Sequence, residues 1–462
     1  MVTVVDADYL VVGAGAAGMA FADALTGHAE VSVALVDRRA AAGGHWLDAY
    51  PFVRLHQASA FYGVASTLLG GGRRQASGPE AGLHERATGT QIVAYYTGVL
   101  ARLEATGRAR LYGGCDYRGA GRFASLDGTA EYVVRPGCRI VDARYLSPEI
   151  PATTPPPFAV GDGARVIPVG ELPDAGSAPR YVVAGSGKTA TDTVVWLLRH
   201  GVAADAVDWI RPREPWMFNR AAIQPDPAVF LATAAATMEA AAGASSVDDM
   251  FLRLEAAGVL LRIDRSIAPT MAKTPTLATW ELDLLRNVRH VIRLGHITGV
   301  ERGRVACTEG DLAVPADTLV AHCAAPGLRY PPPVPIWRPE VVTIQNVRAG
   351  FPCFCAALIG YVEATRDDDA EKNRLCPPTP YSDTLEQWAR MQVLGARATA
   401  AFNAEPDVKA WADTVALNPA RTPAVELARP EVAAALARLQ AASAEGTARL
   451  TVFGRVPSHS GG

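Results

Sequence analysis

The first forty residues alternate between apolar runs and small residues in the order strand, turn, helix, strand. Residues 8–13 and 31–37 are apolar and predict buried strands, and residues 16–26 predict a helix with small residues on one face. Short connections of this kind favour a parallel sheet with a right-handed crossover. The same order returns in a second unit, with a strand, a helix and a strand predicted over 181–185, 186–200 and 206–211.

Two proline-rich stretches, 148–158 and 326–340, interrupt this pattern and predict connectors between units. The expected fold is a doubly wound α/β protein with two Rossmann-like units, the second inserted into a split first unit, and with a helical C-terminal tail. Residues 70–82 have the composition of a mobile surface loop. The predicted units are 1–158 (first part), 159–325 (second unit, with a helical insertion at 219–288) and 326–462 (second part and C-terminal helices).

The turn after the first strand reads GAGAAG over residues 13–18. Gly13 allows a tight turn, Gly15 lets the backbone approach a pyrophosphate, and Gly18 lets the helix pack on the strand. Asp37 ends the next strand, where a carboxylate can accept hydrogen bonds from both hydroxyls of a ribose. The pattern predicts a dinucleotide site. The alternative is a glycine-rich turn that binds nothing.

The second unit has the turn GSGKTA over residues 185–190. Its GKT triplet does not make a nucleotide-triphosphate loop, because position 182, where that loop needs glycine, is Val. The strand-turn-helix context instead fits a second dinucleotide turn, with Ala190 in place of the last glycine. The candidate binding residues here are Gly185, Gly187, Lys188, Thr189 and Ala190.

The strand after this second turn ends in WIRPR, with no acidic residue. Arg211 and Arg213 at this place suit the 2′-phosphate of NADP better than the free ribose of NAD. The alternative is that both are solvated surface charges. Two dinucleotide turns in one chain are explained most simply by a flavin that NADPH reduces.

Residues 43–62 read GGHWLDAYPFVRLHQASAFY. This segment resembles the flavin-containing monooxygenase and Baeyer–Villiger monooxygenase superfamily in the spacing of Gly43, Gly44, Trp46, Tyr50, Pro51, Ser59 and Tyr62. The resemblance implies NADPH on the second turn, and a reduced flavin that forms a C4a-hydroperoxide with oxygen. It also implies FAD on the first turn, held by Gly13, Gly15, Ala17, Gly18, Asp37, Arg38, Gly44 and Trp46.

The sequence departs from that superfamily at two places. In the segment 158–172, Pro168 and Leu172 stand where Baeyer–Villiger enzymes carry a histidine and an aromatic residue. His56 stands where Baeyer–Villiger enzymes place an aspartate and heteroatom-oxidising relatives an asparagine, at a position that faces the flavin in the family. An imidazole there can donate a hydrogen bond or shuttle a proton, so His56 is the candidate catalytic residue. The alternative is a hydrogen-bonded loop histidine without a catalytic role.

Composition restricts the partners. The chain has 462 residues, of which 49% are hydrophobic and 20% charged, and a formal net charge of −3. This charge does not give the positive electrostatic potential that binding to nucleic acid or to acidic membranes requires. No apolar run approaches the length of a membrane span, and no cluster has metal-ligand spacing. The seven cysteines include no CxxC pair, and the nearest pair, Cys353 and Cys355, is predicted to be two buried, reduced thiols and not a redox couple. We therefore expect a cytoplasmic protein with a small-molecule substrate and molecular oxygen as partners; an oligomer is possible.

The function predicted from the sequence is an FAD- and NADPH-dependent monooxygenase that oxidises a small organic molecule. The altered linker at Pro168 favours N- or S-oxygenation over Baeyer–Villiger chemistry. One alternative is a flavin-dependent oxidase or NAD(P)H-dependent reductase on the same scaffold. A second alternative is a flavin-binding redox partner without catalytic activity.

Overall fold

The computed structural model describes residues 2–457. In this range the helices, in chain order, are α1 (Ala16–His28), α2 (Gly89–Ala105), α3 (Lys188–Arg199), α4 (Pro227–Ala242), α5 (Val247–Ala256), α6 (Thr279–Leu285), α7 (Pro352–Thr365), α8 (Asp369–Leu375), α9 (Leu385–Asn403), α10 (Pro406–Thr414) and α11 (Pro430–Phe453).

The strands within the same residues are, in chain order, β1 (Val2–Val5), β2 (Tyr9–Val12), β3 (Val33–Asp37), β4 (Gly63–Val64), β5 (Thr67–Leu68), β6 (Ala109–Gly113), β7 (Cys115–Gly119), β8 (Arg122–Ser125), β9 (Glu131–Val134), β10 (Arg139–Asp142), β11 (Ala159–Val160), β12 (Arg165–Pro168), β13 (Tyr181–Ala184), β14 (Val207–Ile210), β15 (Trp216–Asn219), β16 (Leu260–Arg262), β17 (Thr276–Leu277), β18 (Val291–Ile292), β19 (Ile297–Glu301), β20 (Arg304–Cys307), β21 (Gly310–Ala313), β22 (Leu319–His322), β23 (Trp337–Arg338) and β24 (Val341–Thr343).

The first large sheet has the strand order β23-β24-β10-β2-β3-β6. All its neighbours are parallel except β23 and β24, and the central residue Val11 pairs with Leu35 on one side and Val141 on the other. These three side chains are completely buried, as apolar strands covered on both faces require. The sheet reverses its strand order beside β2, and such a switch point opens a crevice at the carboxyl ends of the strands.

The second large sheet has the order β12-β22-β13-β14-β18, and all of its strands are parallel. Its strands lie between β10 and β23 in the chain, so the second sheet interrupts the sequence of the first. The predicted fold class, a doubly wound α/β protein with two Rossmann-like units, is confirmed. The predicted helical region after 219 contains α4, α5 and α6, and α4 packs along α11 of the C-terminal tail.

A buried carboxylate joins the two separate parts of the first sheet. Glu363 on α7 accepts hydrogen bonds from Tyr9 Oη of β2 (2.8 Å), Trp337 Nε1 of β23 (2.6 Å) and Lys372 Nζ of α8 (2.7 Å). Arg139 of β10 also lies 3.2 Å from this carboxylate. Since a buried charge is tolerated only when it is paired and hydrogen-bonded, this cluster fixes α7 against the first sheet. Helices α7 and α10 were not predicted from the sequence.

Candidate functional site

The carboxyl ends of both large sheets face one cleft of about 1940 Å³. Its walls include the residues that follow β2, β3 and β10 of the first sheet and β13, β14 and β22 of the second. Both glycine turns line this cleft. A space of this size at the switch point of an open sheet is where α/β proteins bind their ligands.

The first glycine turn has the geometry that the sequence predicted for Gly13 and Gly18. Gly13 has φ +106°, a conformation that favours glycine. A Cβ on Gly18 would lie 1.9 Å from the Gly13 carbonyl oxygen, so only glycine lets α1 pack this closely on β2. A Cβ on Gly44 would lie 2.9 Å from Gly15 Cα, so the two glycine backbones meet at the cleft wall.

Helix α1 begins at this turn without a side-chain cap. Gly15 is its N-cap residue, with φ −80° and ψ −172°, and no side chain accepts from the first N–H groups. Gly15 and Ala17 line the cleft. Uncapped N–H groups and the positive end of the helix dipole form a site for an anion such as a pyrophosphate.

Asp37 ends β3 at the floor of the cleft and is 9% exposed. Its carboxylate accepts hydrogen bonds from the backbone N–H groups of Ala14 and Arg39, each at 2.8 Å. These bonds fix the carboxylate and leave further lone pairs for a hydroxyl-bearing ligand. Arg38 also lines the cleft, with a side chain that is 74% exposed and lies 3.6 Å from Asp116.

The second glycine turn repeats the conformation of the first. Gly185 has φ +134°, and Gly187 is the N-cap residue of α3, with φ −81° and ψ −172° and no side-chain cap. Within 4 Å of a Cβ built on Gly187 there is no other atom, so the space in front of this helix is open. Lys188 and Thr189 line the cleft, whereas Ala190 is fully buried beneath it. The second turn therefore offers a second anion site on the same cleft.

The two predicted arginines after β14 point to different places. Arg213 lines the cleft, where its Nη1 donates to Asp383 at 2.8 Å. Arg211 is 2% exposed, lies over the Trp209 ring at 4.5 Å, and pairs with Glu214 at 3.0 Å. Residues two apart after a strand need not stay on one face once Pro212 bends the chain. The structure thus does not bring Arg211 to the cleft, and Arg213 is the one available to a 2′-phosphate.

His56 lines the cleft, and its backbone is held by a buried ionic cluster. Its carbonyl oxygen accepts hydrogen bonds from Arg220 Nε (2.9 Å) and from the Thr276 hydroxyl. The Arg220 guanidinium, which is fully buried, also donates to Glu80 and to Glu281, at 2.5 and 2.8 Å. The residues that hold the backbone of His56 therefore belong to the second predicted unit, and Glu80 of the first unit pairs with Arg220.

The surroundings of His56 lower the pKa of its imidazole. Its side chain is exposed to the cleft, and the cleft itself is surrounded by protein. Burial, followed by the positive charges of Lys188 and Arg220, lowers the pKa of His56 to about 3. A neutral imidazole at pH 7 carries one N–H donor and one nitrogen acceptor.

Glu80 belongs to the loop that the sequence indicated to be a mobile surface segment. The structure places its carboxylate in the interior, where Arg86 binds it through Nε (3.0 Å) and Nη2 (2.7 Å). Trp280 Nε1 also donates to it, at 3.1 Å. The glycines around Glu80 are typical of an exposed loop, so no local pattern revealed its partners.

A contact between units also fixes the second turn. Tyr50 Oη donates to Asp192 Oδ2 at 2.7 Å, and the other oxygen of Asp192 accepts from Lys188. Trp46, on the opposite side, is 9% exposed, lines the cleft and donates through Nε1 to Tyr62 Oη at 2.5 Å. These bonds place polar and aromatic side chains from residues 43–62 along the cleft.

The remaining candidate chemistry is structural. Cys353 and Cys355 are buried, and none of the seven cysteines, all in the described part of the chain, forms a disulfide. Within residues 2–457 no three His, Cys, Asp or Glu side chains are grouped as metal ligands. In the same residues, every helix is too short or too polar to cross a bilayer.

Comparison with known proteins supports this picture of the fold. The sequence model of one protein family, the NAD(P)-binding Rossmann-like domain, matches residues 11–63, which contain the first glycine turn. The crystal structure of cyclohexanone monooxygenase with bound ε-caprolactone, in the Loose conformation, superposes with a TM-score of 0.50 at 14% identity. That match covers 88% of this chain and 98% of the other. The chain therefore has the two-dinucleotide-domain fold of flavoprotein monooxygenases, and the resemblance drawn from the sequence is confirmed for the fold.

Closer relatives occur in mycobacteria. The chain is 41% identical over 418 residues to the "Uncharacterized protein Rv2000" of Mycobacterium tuberculosis (strain ATCC 25618 / H37Rv), with 90% of this chain and 78% of the relative covered. The "Uncharacterized protein Mb2023" of Mycobacterium bovis matches with the same figures. The chain belongs to the family of these mycobacterial proteins.

The buried cluster under His56 gives a testable prediction. Changing Glu281→Gln keeps a hydrogen-bond acceptor but removes one negative charge, leaving Arg220 and Arg86 with Glu80 alone. We expect the free energy of unfolding to fall by about 3 kcal/mol or more, measured by urea denaturation, because the cluster is buried. The control is Glu239→Gln, which loses an exposed pair with Arg438 and should cost less than about 1 kcal/mol. Equal losses for both variants would contradict the assignment.

Proposed function

We propose that this protein is an FAD- and NADPH-dependent oxidoreductase, and specifically a monooxygenase that inserts oxygen into a small organic molecule. The observation that carries the proposal is the pair of uncapped helix N-termini, at α1 and α3, that open on one cleft with the same backbone geometry. Each offers unpaired N–H groups to a pyrophosphate. Two dinucleotides on one cleft suit a hydride donor and a flavin acceptor.

The residues at the first turn fit FAD. The Gly15–Gly44 contact leaves no room for a Cβ on Gly44, and both glycine backbones line the cleft without a side chain. Asp37 supplies a fixed carboxylate for ribose hydroxyls at the end of β3. Bound there, FAD would supply the electron transfer from NADPH to oxygen that oxygenation requires.

The residues at the second turn fit NADPH. No acidic residue ends β14, and Arg213 lines the same cleft as the turn. Lys273, also on the cleft, shares the Asp383 carboxylate with Arg213, so the three side chains keep a net positive charge. Such a charge favours a 2′-phosphate over a free ribose hydroxyl.

The part assigned to this chain in the reaction is positioning and protection. His56, neutral and fixed by its carbonyl contacts, can donate one hydrogen bond into the cleft and accept another. Trp46, Tyr62 and Phe351 supply apolar surface to the walls, which limits water access to the reacting atoms. Whether the product is an N-oxide, an S-oxide or an ester depends on the substrate that these walls admit.

Binding of FAD should depend on the space in front of α1. Changing Gly15→Val places a branched side chain where the pyrophosphate would lie, so the purified variant should lose bound flavin. The matched control is Gly27→Ala on the same helix, whose Cβ would meet no atom within 4 Å; it should retain flavin. The measurement is the visible absorbance of each purified protein, with circular dichroism to confirm folding. A folded Gly15→Val protein with full flavin content would disprove this assignment.

Selectivity for NADPH should depend on Arg213 and not on Arg211. Arg213→Ala should raise the KM for NADPH about tenfold or more and leave the KM for NADH nearly unchanged, since one charge-assisted contact is lost. Arg211→Ala should change both cofactors equally, because its guanidinium is buried against Glu214. The test is steady-state kinetics with both cofactors. A selective effect from Arg211→Ala would reverse the assignment.

Oxygenation itself is tested by the fate of the electrons from NADPH. The protein is incubated with NADPH, oxygen and a panel of small sulfides, tertiary amines and ketones, and NADPH use, hydrogen peroxide and organic product are measured together. A monooxygenase should form product in proportion to NADPH used, with little peroxide for its best substrate. Peroxide in proportion to NADPH for the whole panel would favour the oxidase alternative instead.

A further inference from the structure

One arm of the cleft is not accounted for by either dinucleotide turn. It lies between α4, α9 and α11, whose side chains Phe230, Met238, Met391 and Leu439 line it. Its polar positions are Thr233 and Thr237 of α4 and Gln392, Thr399 and Asn403 of α9. This arm is built by the helical insertion and the helical tail, and both glycine turns belong to other segments.

Arg348 enters this arm from the segment between β24 and α7. Its guanidinium lies over the Phe230 ring, 5.5 Å from the ring centre, and Nη1 donates to Thr399 Oγ1 at 3.3 Å. The Thr399 hydroxyl in turn donates to the Gly395 carbonyl at 2.8 Å, which orients it as an acceptor. The arginine is thus held between α4 and α9.

The backbone at Arg348 is also fixed. Its N–H donates to Cys355 Sγ and its carbonyl accepts from that thiol, both at 3.2 Å. A Cβ on Gly395 would lie 3.1 Å from Ala349, so α9 packs tightly on the next residue. Because both its backbone and its side chain are held in place, the guanidinium of Arg348 is pre-organised to bind a ligand.

Arg348 has no carboxylate partner among residues 2–457, although it lines the cleft. By contrast, the buried arginines Arg86, Arg211 and Arg220 each form a salt bridge with a glutamate. Burial lowers the pKa of Arg348 to about 10, so the group stays charged at pH 7. A half-buried charge without a counterion is costly unless a ligand supplies one.

We propose that Arg348 binds the carboxylate of the substrate, and that the substrate is an organic acid with an apolar body lying between α4 and α9. That the bound acid is the substrate rests on the proposed function, whereas its binding by Arg348 does not. The fork of the guanidinium matches a planar carboxylate in a bidentate pair. Phe230, Met238 and Leu439 form the apolar walls for the rest of the molecule.

The cofactors are less suitable partners for this charge. Their pyrophosphates have the N-termini of α1 and α3, and a 2′-phosphate has Arg213 and Lys273. The side chain of Arg348 instead contacts Phe230 of α4 and Thr399 of α9. Its position in the helical arm therefore assigns it to the molecule that the arm admits.

The test is equilibrium binding without NADPH, by isothermal titration calorimetry on the purified 462-residue chain. The probes are 4-phenylbutanoate and octanoate, each beside the corresponding primary alcohol. We expect the wild-type protein to bind at least one acid about tenfold or more tightly than its alcohol, because one charge-assisted pair is gained. Arg348→Met should remove this preference and leave alcohol binding unchanged, and Arg348→Lys should restore part of it.

The control is Arg438→Met, which removes an arginine from the exposed face of α11 and should bind the acid as the wild type does. Equal binding of acid and alcohol, no binding of either acid, or an acid preference that survives Arg348→Met would overturn the proposal. Loss of flavin from Arg348→Met, read from its absorbance, would reassign the arginine to the cofactor. Since no turnover is measured, failure of the oxygenation test would leave these results unaffected.

Discussion

The structure depends on one electrostatic constraint: two helices, α1 and α3, begin at the same cleft with no side chain to satisfy their first N–H groups. In most helices a Ser, Thr, Asp or Asn does this work, as Thr88 does for α2. Here glycine occupies both N-cap positions, and the groups stay available. A pyrophosphate satisfies such donors and is favoured by the helix dipole. The proposed anion sites give a reason for glycine at both N-cap positions.

The contacts that cross between units determine what else faces the cleft. Tyr50 bonds to Asp192 at the start of α3, and Arg220 bonds to the carbonyl of His56. Both bonds join residues far apart in the chain, so the positions of Lys188 and of the imidazole depend on how the units are joined. Within the first unit, the Glu363 cluster fixes α7, whose first turn carries the cleft residue Cys353. The cleft is therefore assembled by buried polar contacts around two parallel sheets.

Much of this fold could be predicted from the sequence, because its signals are local. Apolar runs gave β2, β3, β13 and β14, and glycine spacing gave both turns with the correct role for Gly18. The side chains whose partners lie far away in the chain could not be predicted. Arg211 turns inward to Glu214, and Glu80 is buried although its loop is rich in glycine. No sequence pattern marks Arg348 as a candidate site residue, since its place on the cleft depends on how α4 and α9 pack.

The most direct test of the account is whether the two sites exchange electrons. The FAD-loaded protein is titrated with NADPH in the absence of oxygen, and the visible absorbance of the flavin is followed. Two dinucleotides meeting in one cleft predict that this absorbance is lost as about one equivalent of NADPH is added, and that it returns when air is admitted. A protein that binds both cofactors but keeps an unchanged flavin spectrum would contradict the claim that the turns at Gly15 and Gly187 serve a single site.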